Sequence, residues 1–152
     1  MPTTRRSRTI AADPQDVWAV VADPYHLARW WPRVKRVEGV DGGVFTEVLT
    51  SDRGRQVRAD FHVLISQAPT RQRWAQDLEG TPFARVLRTA ETEVRLEAAD
   101  AGTGTQVTLE LIQLTNGFLA RLGTFFIRRA ARDTLDQALD GLTHILGAAA
   151  RG

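Results

Sequence analysis

The sequence predicts an α+β fold in which a curved antiparallel sheet is closed by one long C-terminal helix. Three observations predict it. Apolar and polar residues alternate over six consecutive stretches between residues 34 and 114, the period of half-buried strands. The breaks between those stretches are short and rich in glycine, aspartate and proline, which makes neighbouring strands run antiparallel. From Phe118 to Ala149 there is no proline, and apolar residues return every three or four positions, as on one face of a helix.

Each element has its own signal. Arg5 to Ile10 reads as a short opening strand. Asp13-Pro14-Gln15-Asp16 then starts a helix, with Asp13 as N-cap and Pro14 in the first turn, and Val17, Trp18, Val20 and Val21 follow at helical spacing. A second start, Asp23-Pro24, runs through Tyr25, Leu27, Trp30 and Trp31 until Pro32 stops it. Strands are expected near 34–40, 44–50, 55–66, 71–78, 84–98 and 105–114. Asp41-Gly42-Gly43 and Asp100-Ala101-Gly102-Thr103-Gly104 resemble hairpin turns in which glycine supplies positive φ. In the last helix Leu122, Phe126, Leu135, Ala138, Leu139, Leu142, Ile145 and Leu146 form one apolar stripe, with Gly123 as a bend or an alternative start.

Composition bounds the function classes. The 152 residues fit one domain, expected to span the whole chain, and a hydrophobic share of 43% supports a packed core. There is no cysteine, which removes disulfides, thiolate metal sites and cysteine nucleophiles and suits a reducing cytoplasm. Met1 to Arg8 is polar and basic without an apolar run behind it, so no signal peptide is expected. No stretch approaches the length of a membrane span. Net charge is only +2, from 20 basic and 18 acidic residues, and phosphate binding needs a concentrated basic stripe. Arg128, Arg129 and Arg132 are interleaved with Asp133, Asp136 and Asp140, which reads as a compensated, solvated helix face. Nucleic acid is not an expected partner.

Strand parity points to an interior site. In 71–78, Arg71, Arg73, Ala75 and Asp77 share one face, so Gln72, Trp74 and Gln76 share the other. In 105–114, Val107, Leu109, Leu111 and Gln113 lie opposite Thr108 and Glu110. Phe61 falls among Val57, Ala59, Val63 and Ile65. In 84–98, Val94, Leu96 and Ala98 carry the inward parity back to Ala84, Val86, Arg88, Ala90 and Thr92, unless a bulge displaces Arg88. An apolar inner face that carries Gln72, Gln76, Gln113 and Arg88 must satisfy each polar group, and each one left unpaired costs about 1–3 kcal/mol. A pocket holding a polar ligand group would satisfy them; side chains that reach solvent at the rim of the sheet would do so too.

The segment Asp13-Pro14-Gln15-Asp16-Val17-Trp18, followed by Asp23-Pro24-Tyr25-His26-Leu27-Ala28-Arg29-Trp30-Trp31-Pro32, resembles the opening of the START-like (SRPBCC) superfamily, most closely its bacterial polyketide cyclase/dehydrase and lipid-transport group. The order of elements is similar over essentially the whole chain. The resemblance implies a helix-grip fold, a seven-stranded sheet wrapped around the long helix with two small helices closing one end. It also implies a cavity for a lipid, polyketide or similar apolar metabolite. Family cavities commonly open near the start of the long helix, where Phe118, Leu122, Phe125 and Phe126 lie. The candidate ligand-binding residues are therefore Phe61, Gln72, Trp74, Gln76, Arg88, Leu111, Gln113, Phe118, Leu122 and Phe126.

No catalytic motif accompanies them. His26, His62 and His144 lack the spacing of metal ligands, and Ser7, Ser51 and Ser66 lack a nucleophile-elbow setting, so neither a metal nor another cofactor is expected. The readings that remain are a carrier or binding protein for a hydrophobic or amphipathic small molecule, a cyclase or dehydratase working by confinement and proton transfer, and a protein-interaction module.

Overall fold

The computed structural model describes residues 3–51, 53–115 and 117–150, with 117–124 and 148–150 described for the backbone only. Seven strands form one antiparallel sheet: β1 (Thr3–Ile10), β2 (Val34–Asp41), β3 (Val44–Thr50), β4 (Gln56–Gln67), β5 (Arg71–Gln76), β6 (Leu87–Ala99) and β7 (Gly104–Thr115). Their order is β1-β7-β6-β5-β4-β3-β2, so β2 to β7 form a meander and β1 closes against the last strand. Between β1 and β2 lie α1 (Pro14–Val21), a 3-10 turn over Pro24–His26, and α2 (Leu27–Trp30). The chain ends in α3 (Gly117–Ala150). This is the helix-grip arrangement.

The helix starts follow the capping chemistry. Asp13 accepts a hydrogen bond from the Asp16 amide at 3.0 Å, and Asp23 accepts one from the Tyr25 amide at 3.0 Å. The β2–β3 hairpin turns on Gly42 (φ +55°) and Gly43 (φ +88°), a left-handed pair that favours glycine.

Inward-facing residues of the sheet meet α1, α2 and α3 in one core. It includes Ile10, Val17, Leu27, Trp30, Val94, Leu96, Val107 and Leu109, with Leu135, Ala138, Leu139, Leu142 and Leu146 from α3. Full burial of such a leucine contributes about 1.5–3 kcal/mol. The helix packs on β1, β7 and α2. The small helices lie on β2, β6 and β7, and Trp31 reaches Trp74 of β5.

Several expectations needed correction. Residues 82–85 form a 3-10 turn, so Ala84 and Val86 precede β6 and take no inward strand position. At the β6–β7 turn positive φ falls on Asp100 (+52°) and Ala101 (+56°), not on glycine. Gly104 is glycine for another reason: a Cβ there would lie 3.0 Å from Asp100 Oδ2 and 3.3 Å from the Ile10 carbonyl oxygen. The acids of α3 also find other partners than expected. Asp136 pairs with Arg6 at 3.1 Å and Asp140 with Arg8 at 2.6 Å, tying the helix to β1. Finally, among the described side chains the buried stripe of α3 begins at Ala131, and Phe126 is 68% exposed.

Candidate functional site

The inner face of the sheet gathers aromatic and polar side chains in neighbouring strands. β3 pairs with β4 without irregularity, so Phe45, Glu47 and Leu49 share one face opposite Phe61, Ala59 and Val57. Phe45 and Phe61 stack at 5.3 Å with their rings 7° apart. Val63 of β4 stands opposite Trp74 of β5. Trp74 is 3% exposed and meets Trp31 edge to face at 6.3 Å, and Trp31 meets Trp30 in the same way at 5.4 Å. This chain of rings fixes the small helices against the centre of the sheet.

Polar atoms interrupt that wall. Gln72 is 5% exposed and its Oε1 has no hydrogen-bond partner among the described residues; the buried Nε2 of Gln76 has none among them either. Gln76 also lines a groove of about 610 Å³ at the end of β5 and the start of β6, which it shares with Ala75, Asp77 and Glu91 of the outer face and with Arg88. Thr89 Oγ1 also has no partner among the described residues, but Thr89 stands opposite Leu114 and so shares the outer face with Glu91 and Glu93. A further crevice of about 570 Å³ lies between Thr3–Arg5 on β1 and Phe125, Arg128 and Arg132 on α3.

Glu47 is the unexpected member of the inner face. It is 4% exposed, between Val37 of β2 and Ala59 of β4, with no hydrogen bond or ion pair among the described residues. Burial pushes its carboxyl up to about 8, so it carries its proton at neutral pH. The outer face answers differently. There Glu93, 0% exposed, accepts from Arg71 Nε at 2.7 Å, Arg73 Nε at 3.0 Å and Arg95 Nε at 2.5 Å. Burial pushes Glu93 up, but the Arg95 and Arg71 hydrogen bonds and the Arg73 charge outweigh it and hold the carboxyl below its usual range.

A family model described as polyketide cyclase / dehydrase and lipid transport matches residues 1–147. The chain belongs to that family. Solved structures of the same fold agree. A START superfamily protein from Mycobacterium smegmatis is 10% identical with a TM-score of 0.77, over 96% of this chain and 97% of that one. A conserved protein from Geobacillus kaustophilus is 17% identical with a TM-score of 0.79, over 97% and 96%. The di-domain ARO/CYC BexL of the BE-7585A biosynthetic pathway is 18% identical with a TM-score of 0.76; the match spans 95% of this chain and 46% of that one. At such identities the likeness shows the fold. No curated protein matches the sequence.

Within this polyketide cyclase/dehydrase and lipid-transport fold, the residues singled out from sequence separate into groups. Phe61, Gln72, Trp74 and Leu111 lie on the inner face, and Gln113, half-buried, stands opposite Ala90 across the β6–β7 pair. Gln76 links that face to the groove. Arg88 sits at a register shift between Leu87 and Thr89, is exposed, and lines the rim of the groove. The side chains of Phe118 and Leu122 lie outside the described residues. Phe126 stacks edge to face on Phe125 at 5.7 Å, on the exposed side of α3. His62 faces away from the interior and hydrogen-bonds Asp77 at 2.7 Å, while its neighbour Asp60 accepts from Thr46. Among the described residues no group of three metal-ligating side chains converges, and no helix is long and apolar enough to cross a membrane. Glu47 is the site residue that sequence reading missed, although its shared parity with Phe45 and Leu49 carried the signal.

Proposed function

We propose that this chain is a single ligand-binding domain of the cytoplasm that encloses a hydrophobic or amphipathic small molecule between its sheet and α3. The observation that carries the reading is a pair of buried polar atoms, Gln72 Oε1 and Gln76 Nε2, that have no hydrogen-bond partner among the described residues and lie on an otherwise apolar inner face. Leaving such an atom unpaired costs about 1–3 kcal/mol, and a ligand with a carbonyl or hydroxyl group recovers it. The family's description and the absence of cysteine in the sequence support the ligand class and the reducing compartment.

Native mass spectrometry of the protein as purified tests this directly, since a retained ligand adds its mass. Titration of tryptophan emission with lipids and aromatic polyketides is the second arm. No added mass, together with emission unchanged across the panel, would remove the reading.

A cyclase- or dehydratase-type enzyme in the same site is the second reading. It is favoured by the proton on Glu47, a group able to protonate a carbonyl in an enclosed space. Turnover of a poly-β-ketone analogue that disappears in Glu47→Gln is the result it requires.

A further inference from the structure

We propose that Glu47 selects the ligand, donating its carboxyl proton in a hydrogen bond to the carbonyl oxygen of an uncharged apolar molecule held against Phe45 and Phe61. This rests on the interior-site reading above and names the chemical class that the site accepts.

The geometry comes first. Glu47 is held on the inner face by an unbroken β3–β4 register, beside the stacked rings of Phe45 and Phe61. Its cross-strand neighbour on β4 is Ala59, the smallest side chain of the inward set Val57, Ala59, Phe61 and Val63. No described group hydrogen-bonds it, although a buried polar side chain nearly always has a partner. A protonated carboxyl is a strong donor and a weak acceptor, so its best complement is an acceptor that carries no proton, as a ketone, ester or quinone oxygen does. A carboxylate ligand fits worse, because no described cation shares this face to balance its charge.

None of the described charged or titratable groups around Glu47 bonds it. On β2, Glu38 accepts from Arg36 at 2.7 Å, and also from Arg58 of β4 at 2.7 Å. Asp60 is bonded by Thr46, and His62 by Asp77. These residues neighbour Val44, Thr46 or Val48 in the register and so lie on the opposite face from Glu47. Lys35 is exposed, and Asp41 closes the hairpin. On the turn and helix packed against β2, the corresponding groups are Asp23, Tyr25, His26 and Arg29; the Asp23–His26 pair is 3.9 Å apart. None of them bonds Glu47.

The test uses prodan, an uncharged naphthyl ketone whose emission reports binding and hydrogen bonding, beside its deoxy analogue with a methylene in place of the carbonyl. At about pH 6 the wild-type protein is expected to bind the ketone about tenfold more tightly than the analogue, the worth of one good hydrogen bond. By about pH 10 that advantage should vanish as Glu47 loses its proton. Glu47→Gln keeps a donor and should keep the advantage at both pH values, whereas Glu47→Leu should bind the two probes alike. The wild-type pH series stands even if a variant fails to fold. Equal binding of the two probes by the wild type at about pH 6, or a full ketone preference in Glu47→Leu, overturns the assignment of Glu47 and leaves the site intact. If the wild type binds neither probe, the interior site itself is refuted, and this inference with it.

Discussion

A Cβ placed on Gly141 would stand 2.5 Å from the carbonyl oxygen of Trp30 and 2.8 Å from its Cα. The long helix and the Trp-Trp-Pro turn therefore touch backbone to backbone, and the smallest residue is demanded by contact, not by conformation. This contact seats α2, and with it Trp31, over Trp74.

Gly141→Ala is accordingly expected to destabilise the protein by about 1–3 kcal/mol, the range for overpacking a close contact, although alanine is the better helix former. Urea denaturation measures it. Unchanged or increased stability would mean that the two backbones are not in contact.

Glu47 predicts an unusual dependence of stability on pH. Its folded pKa of about 8 lies above its ordinary value of 4.5, so the folded state holds a proton that the unfolded chain releases. Its contribution is fully present below 4.5 and is lost as pH rises from there through about 8. The slope reaches at most about 1.4 kcal/mol per pH unit between those limits. Glu47→Gln should flatten this slope in denaturation curves taken across the range.

Glu93 behaves in the opposite sense. Its folded pKa is lowered, so its stabilisation is present above 4.5 and fades as pH falls through the folded value. Glu93→Gln would leave Arg71, Arg73 and Arg95 crowded without their shared counter-charge. The expected loss at pH 7 is about 3 kcal/mol, the lower end for a buried pair because Arg95 stays half exposed. The gap to wild type should narrow in acid, where the wild-type carboxyl is itself neutral.

Gln72→Leu should separate stability from function. Removing an amide whose Oε1 is buried and unpaired should leave the empty protein as stable or about 1 kcal/mol more stable. Affinity for oxygenated ligands should fall, with hydrocarbon binding kept. Thermal unfolding paired with emission titration reads both. A clear loss of stability would show that this glutamine already has a partner in the empty protein.

Much of the fold was legible because each local rule agreed with the global one. Asp13-Pro14 and Asp23-Pro24 capped the helices they announced, and alternation placed Gln72, Trp74 and Leu111 on the inner face. The failures share a cause: periodicity tells which residues share a face, not what covers it. Phe126 keeps the spacing of the α3 stripe but lies before the stretch that the core covers. Ala84 and Val86 keep the parity of β6 but belong to a turn started by Pro82. Charges along α3 suggested pairing within the helix, whereas Asp136 and Asp140 reach across to β1. Glu47 escaped notice because a lone acid in an alternating strand is normally read as the wet side.

The edge position of β1 bears on how the chain is assembled. Thr3 pairs with Ile112 and Ile10 with Thr105, so β1 has no sheet partner until β7 has been made. The meander from β2 to β7 can form from local hairpins as synthesis proceeds, while β1 waits for a closure that spans the whole meander. The Arg6–Asp136 and Arg8–Asp140 pairs join only after that, when α3 is complete. Until β7 is made β1 is an unpaired strand, and Arg5, Arg6 and Arg8 give it the charge that discourages edge-to-edge pairing.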